Sequence, residues 1–82
     1  MLVYPNPAQQ SVTISYNFGI ATNAYSRIAV YDVYGRIIAT QLVSSTTGSW
    51  TLQLNNLASG SYIVRMEEKG HTVQLQHLTI TH

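Results

Sequence analysis

The chain has 82 residues, four Lys and Arg against three Asp and Glu, and no cysteine. That length holds one domain at most, since domains typically run to roughly 100–150 residues, and without cysteine neither a disulfide framework nor a thiolate metal site is open to it. A net charge of +1 is no electrostatic footprint for nucleic acid or an anionic membrane, and the polar surface falls to eight Ser, nine Thr, five Asn and six Gln.

The dominant hydrophobic period is two. Leu2-Val3-Tyr4 reads as a short strand, stopped by Pro5, Asn6 and Pro7, where two fixed φ angles and two missing donors end any ladder. Val12, Ile14, Tyr16 and Phe18 then alternate with Ser11, Thr13, Ser15 and Asn17, the pattern of a half-buried strand. Residues 19–25 read as a loop. Residues 26–34 are strand formers with apolar side chains on both faces, which predicts a central strand. Asp32 precedes a turn at Tyr34-Gly35, and residues 36–43 return as the second arm of a hairpin, with Ile38 and Leu42 opposite Ile37, Ala39 and Val43.

Residues 44–48 read as a polar turn, followed by alternation of Trp50, Leu52 and Leu54 with Thr51, Gln53 and Asn55. Residues 56–60 form a short connection in which Leu57 is placed to cap one end of the core. The next strand, 61–68, turns Tyr62, Val64 and Met66 inward and Arg65 and Glu67 outward, with Ile63 partly covered. Lys69-Gly70 turns the chain into a last strand over 71–82. There Val73 and Leu75 share a face opposite to that of Leu78 and Ile80, so a bulge or a change of partner is expected near Gln76-His77. The pattern as a whole predicts an all-β fold, an Ig-like antiparallel β-sandwich of about seven short strands, spanning residues 1–82 as one domain.

The longest apolar run, Ile28-Ala29-Val30-Tyr31, is far short of the ~20 residues of a membrane helix, so no direct membrane insertion is expected. Residues 1–7 lack the basic and apolar regions of a signal peptide, so an export leader would lie upstream.

No catalytic set emerges. Asp32, Glu67 and Glu68 are the only carboxylates; Glu67 and Glu68 are strand neighbours and point to opposite faces, and Asp32 is placed to accept backbone N–H bonds in its turn. His71 and His77 stand six residues apart, about 20 Å along an extended strand, too far to share one metal ion. Neither phosphate-binding glycine loop nor basic–aromatic interleaving is present, so no cofactor and no nucleic-acid partner is expected. Six tyrosines, Trp50 and Phe18 raise a sugar-binding reading. Most fall in strand alternation, as core or hydroxyl-anchored residues, which leaves Tyr25 and Tyr31 as candidates for exposure. An Ig-like adhesion or carbohydrate-binding module is therefore the alternative.

Three blocks in order carry a resemblance over nearly the whole chain. Val3-Tyr4-Pro5-Asn6-Pro7 is similar to the "YPNP" opening of the C-terminal sorting domain of type IX secretion cargo. Ile28-Ala29-Val30-Tyr31-Asp32-Val33-Tyr34-Gly35-Arg36 is similar to that family's "v-x-D-x-x-G" hairpin. Leu57-Ala58-Ser59-Gly60-Ser61-Tyr62-Ile63-Val64-Arg65 is similar to its "L-x-x-G-x-Y-x-V" block. The resemblance implies an Ig-like signal domain, not an enzyme, that takes a larger cargo across the outer membrane of Bacteroidota-type bacteria. Its implied partners are a translocon, an outer-membrane shuttle protein and a cell-surface sortase that removes it at or before Met1. Its implied course is transient passage through the periplasm to the cell surface or medium.

The candidate recognition residues are Pro5, Asn6, Pro7, Asp32, Gly35, Gly60, Tyr62, His77, Leu78 and Ile80. An edge strand would let one reader serve many cargos through main-chain hydrogen bonds, and residues 72–81 are the natural edge. That edge carries histidines but no full charge beyond Lys69, so a homodimer through it is also expected. Where the family often has "K-L-x-V", His77 precedes Leu78-Thr79-Ile80. A histidine there holds less charge near neutral pH than a lysine, so a reader needing a fixed cation would be weakly engaged.

Overall fold

The period-two alternation is realised as seven strands among the residues that the computed structural model describes, 1–18, 26–43 and 45–82. These are β1 Leu2–Tyr4, β2 Ser11–Asn17, β3 Arg27–Tyr31, β4 Ile37–Leu42, β5 Thr47–Gln53, β6 Gly60–Glu68 and β7 His71–Ile80. The loop expected over 19–25, with Tyr25, and the first residue of the turn expected over 44–48 lie outside the described residues. Thr47 and Gly48, expected in that turn, already belong to β5.

Two antiparallel sheets, β1-β2-β5 and β4-β3-β6-β7, face each other as an open sandwich. The chain passes from β2 into the second sheet, returns for β5 and leaves again for β6, an Ig-like crossing pattern. Between the sheets Val12 and Ile14 of β2 and Leu54 after β5 meet Ile28, Val30, Val64, Met66, Leu78 and Ile80, all almost wholly buried. Each such side chain contributes about 1.5–3 kcal/mol relative to leaving it in water. Leu57 packs against one end of this core, as its position predicted. In β5 the small Gly48 lies opposite Tyr16, whose ring covers it and meets Phe18 edge-on at 5.8 Å.

β3 is central, with β4 and β6 on its two sides, as its two apolar faces required. Its hairpin to β4 turns through a longer segment than Tyr34-Gly35, because β3 stops at Tyr31 and β4 starts at Ile37. An irregularity opposite Val30 and Tyr31 steps over Ile38, so the expected faces of β4 are each divided. Ile38 packs toward the core while Leu42 is 71% exposed; Val43 is buried while Ile37 points out beside Tyr31.

The bulge expected near Gln76-His77 is not there. Pairing with β6 runs unbroken from Ile80 through Gln74 and shifts only where Met66↔Gln74 gives way to Glu67↔Thr72, which leaves Val73 as the extra residue. The inward face of β7 keeps its period through Gln76, Leu78 and Ile80, and Val73 and Leu75 stand in solvent. Apolar character had implied burial for those two, and that inference fails at a sheet's outer face. Lys69 and Gly70, both at positive φ (51° and 82°), make the tight β6–β7 turn.

Candidate functional site

β7 is the last strand of its sheet, so one side of its backbone has no neighbouring strand among the described residues. In an antiparallel ladder alternate residues turn both N–H and C=O away from the partner, which here selects residues 75, 77, 79 and 81. The segment after β1 covers half of that row. The Asn6 Nδ2 donates to the His77 carbonyl at 2.9 Å, and the Thr79 N–H donates to Asn6 Oδ1 at 3.0 Å. One residue pair further, the Ala8 N–H donates to the Thr79 carbonyl and the Thr81 N–H to the Ala8 carbonyl, both at 2.8 Å. A planar side-chain amide and one backbone residue thus stand in for an eighth strand.

Pro5 and Pro7 flank Asn6 in cis peptide linkages and, having no N–H, leave Asn6 and Ala8 as the donors that face β7. Below the clamp, Gln76 Nε2 donates to the Met1 carbonyl at 2.7 Å and the Met1 amino group donates to Gln74 Oε1 at 2.8 Å. Those two contacts tie side chains, not the β7 backbone. The backbone of Leu75 and the N–H of His77 have no hydrogen-bond partner among the described residues. The edge expected to be available over 72–81 is therefore open only in its first half.

Most of the other candidate residues gather at the same end. Leu78 and Ile80 are 1% exposed and lie opposite Tyr62 and Gly60 in register, so their side chains hold β7 to the core. Tyr62 is buried and its hydroxyl donates to the Ala58 carbonyl at 2.7 Å, which fixes the approach of the chain into β6. Gly60 opens β6 with φ 153°. His77 is exposed on the outer face beside Ile63.

Asp32 behaves as its place before a turn predicted. Its Oδ1 accepts the N–H groups of Tyr34 and Arg36 at 2.9 and 3.0 Å, and its Oδ2 accepts Arg36 Nε at 2.7 Å. Burial, the largest single influence, would raise its pKa; the Arg36 and Tyr34 bonds together outweigh it and hold the carboxyl below its ordinary range. Gly35 supplies the positive φ (82°) that closes this turn. A shallow groove runs from Asp32 and Arg36 past Leu57 to Gly60 and Tyr62, which brings two of the three family-like blocks side by side.

Two residues depart from expectation on the outer face of the four-stranded sheet. Tyr31, expected to be exposed, is 8% exposed: the Arg65 guanidinium lies over its ring at 4.4 Å and its hydroxyl donates to Glu67 Oε2 at 2.6 Å. A sugar cannot stack on a ring already covered, so the platform reading loses this residue. Glu67 does turn outward as its parity requires, yet it is only 4% exposed, because Arg27 Nε reaches Oε1 at 2.6 Å from the neighbouring strand. Burial raises the Glu67 pKa most strongly, but the Tyr31 and Arg27 bonds together with the charges of Arg27 and Arg65 overcome it and leave the carboxyl below its ordinary range. The hydrogen bond to Glu67 in turn pushes the Tyr31 phenol up.

Period two reports which face a side chain takes, not what stands beside it, and these partners lie 36 and 40 residues away. The Asn6 clamp was equally out of reach of local pattern, spanning 71 residues, although the unusual Pro-Asn-Pro spacing marked the segment.

A protein-family model described as a secretion system C-terminal sorting domain matches residues 2–81. No curated protein and no solved structure matches the chain significantly.

Proposed function

The chain belongs to the family of C-terminal sorting domains of type IX secretion cargo, and from that premise we propose that the secretion machinery reads it through the open half of the β7 edge, residues 73–77. Such a domain is a signal and not a catalyst, and its cargo is secreted across the outer membrane. In this reading the translocon adds a strand to β7 from the periplasmic side. The outer-membrane shuttle protein then receives the domain, and a surface sortase removes it upstream of β1.

The observation that carries the reading is the contrast along one edge: Thr79 and Thr81 are bonded to Asn6 and Ala8, while Leu75 turns outward an N–H and C=O that have no partner among the described residues. Strand addition takes its affinity from main-chain bonds, so one receptor can accept cargos whose side chains differ. It also needs an edge presented in fixed register, and the core anchors Leu78 and Ile80 supply that.

The test is a fusion of residues 1–82 to a folded periplasmic reporter in a host with a working type IX system. The reading expects the reporter at the cell surface or in the medium, and in the periplasm of a translocon-deficient strain. A folded fusion that stays periplasmic in the competent host would overturn it.

A further inference from the structure

We propose that the outer face of the β4-β3-β6-β7 sheet is a docking surface for a protein segment that presents a carboxylate among aliphatic side chains, with Arg65 as its anchor. The inference rests on the reading of this domain as a signal bound by partner proteins, and it names a second surface, distinct from the β7 backbone edge.

Arg65 is an unusual cation. Its side chain makes no hydrogen bond and no ion pair among the described residues, and its Nε is buried without a partner. The nearest acid, Glu67, has its two oxygens taken by Arg27 and Tyr31. What holds Arg65 is the Tyr31 ring beneath its guanidinium and the nearby charge of Glu67. The group is therefore seated over the ring before any ligand arrives; its buried Nε is out of a ligand's reach, and its two terminal nitrogens are left to bond one. Around it the same face carries Leu75 directly opposite on β7, and Ile63 and Ile37 on either side of Tyr31. Leu75 is 45% and Ile37 51% exposed. A cation ringed by aliphatic surface complements an anion ringed by aliphatic surface, and a desolvated guanidinium–carboxylate pair is stronger than one in open water.

Other occupants fit less well. A second copy would have to bring a carboxylate, but of the three acids in the chain Asp32 is held by Arg36 and Glu67 by Arg27 and Tyr31. Only Glu68 is left, next to Lys69 at the turn. An anionic lipid surface requires a cluster of several basic residues, and among the described residues of this face the other arginine, Arg27, is already paired with Glu67.

The probe is an end-blocked peptide of alternating Leu and Glu, compared with the same peptide carrying Gln for Glu. Each is titrated into the ¹⁵N-labelled 82-residue chain and followed by amide chemical shifts. The proposal expects shifts centred on Tyr31, Ile63, Arg65 and Leu75, with the Glu peptide binding at least fivefold more tightly than the Gln peptide. Arg65→Gln is expected to abolish that preference; Arg65→Lys, which keeps the charge but loses the flat stacking group, retains part of it and guards against a simple loss of fold. Equal binding of the two peptides, shifts confined to the β7 backbone edge, or no shifts on this face would each overturn the proposal. So would concentration-dependent shifts of this face without peptide, which would make a second copy its occupant. The titration contains no secretion machinery, so its failure leaves the export fusion free to succeed, and the converse.

Discussion

The two halves of the β7 edge share one strand, one pairing partner and a composition of Thr, Gln, His and aliphatic residues, yet they present opposite surfaces. From the His77 carbonyl to the Thr81 N–H the outward backbone is bonded to Asn6 and Ala8; before it, the outward groups of Leu75 meet none among the described residues. The difference lies wholly in what a distant segment does. An edge strand exposed over its full length is an invitation to pair with any other strand. Covering half of it leaves a short stretch of defined register, long enough for a few main-chain bonds and short enough to limit indiscriminate pairing. The apolar residues follow the same division: Leu78 and Ile80 fix the clamped half to the core, while Val73 and Leu75 stand outward on the open half.

The comparison breaks most completely when β7 loses its anchor. Leu78→Ala removes a fully buried side chain from the middle of the core, and a loss of about 2–5 kcal/mol is expected in chemical denaturation. The distinction between the halves should then blur in amide exchange. Asn6→Ala is expected to be milder, about 1–2 kcal/mol, since it deletes two hydrogen bonds from the clamp. Its signature is local: the Thr79 amide exchanges faster, the Leu75 amide is unchanged, and the longer open edge raises concentration-dependent association in light scattering.

The smallest effect comes from the face beside the edge. Glu67 has its pKa lowered on folding, so its contribution is fully present above the ordinary value of 4.5 and is lost as pH falls through the lower folded value. Asp32 shifts the same way, so wild-type stability should fall on acidification. Glu67→Gln should flatten that fall below the ordinary value of 4.5 without removing it, as thermal melts on acidification would read.

Much of this was legible from residue order. Alternation gave the strands, the apolar character of both faces gave β3 its central place, and Asp32 and Leu57 sit in the roles their neighbours dictate. What stayed hidden has a common cause. Tyr31 and Glu67 are covered by arginines from adjacent strands, and Asn6 reaches a strand at the other end of the chain. A period of two places a residue on a face and is silent about who covers that face. The same limit explains Val73 and Leu75, whose apolar side chains suggested a switch of faces near Gln76-His77, where the ladder in fact runs unbroken. The Pro-Asn-Pro turn was singled out by its sequence, but its use of the Asn side chain as a strand substitute required the register of β7.

The most direct test of the open edge is a pair of substitutions at Leu75 within the export fusion. Leu75→Pro deletes one outward N–H and leaves the ladder to β6 without a lost donor, because that N–H points away from β6. Leu75→Ile keeps both the N–H and an aliphatic side chain on the outer face. With both variants folded by circular dichroism, we expect Leu75→Pro to cut surface delivery of the reporter at least tenfold and Leu75→Ile to deliver it within about twofold of wild type. Equal delivery by the two variants would contradict recognition through this edge.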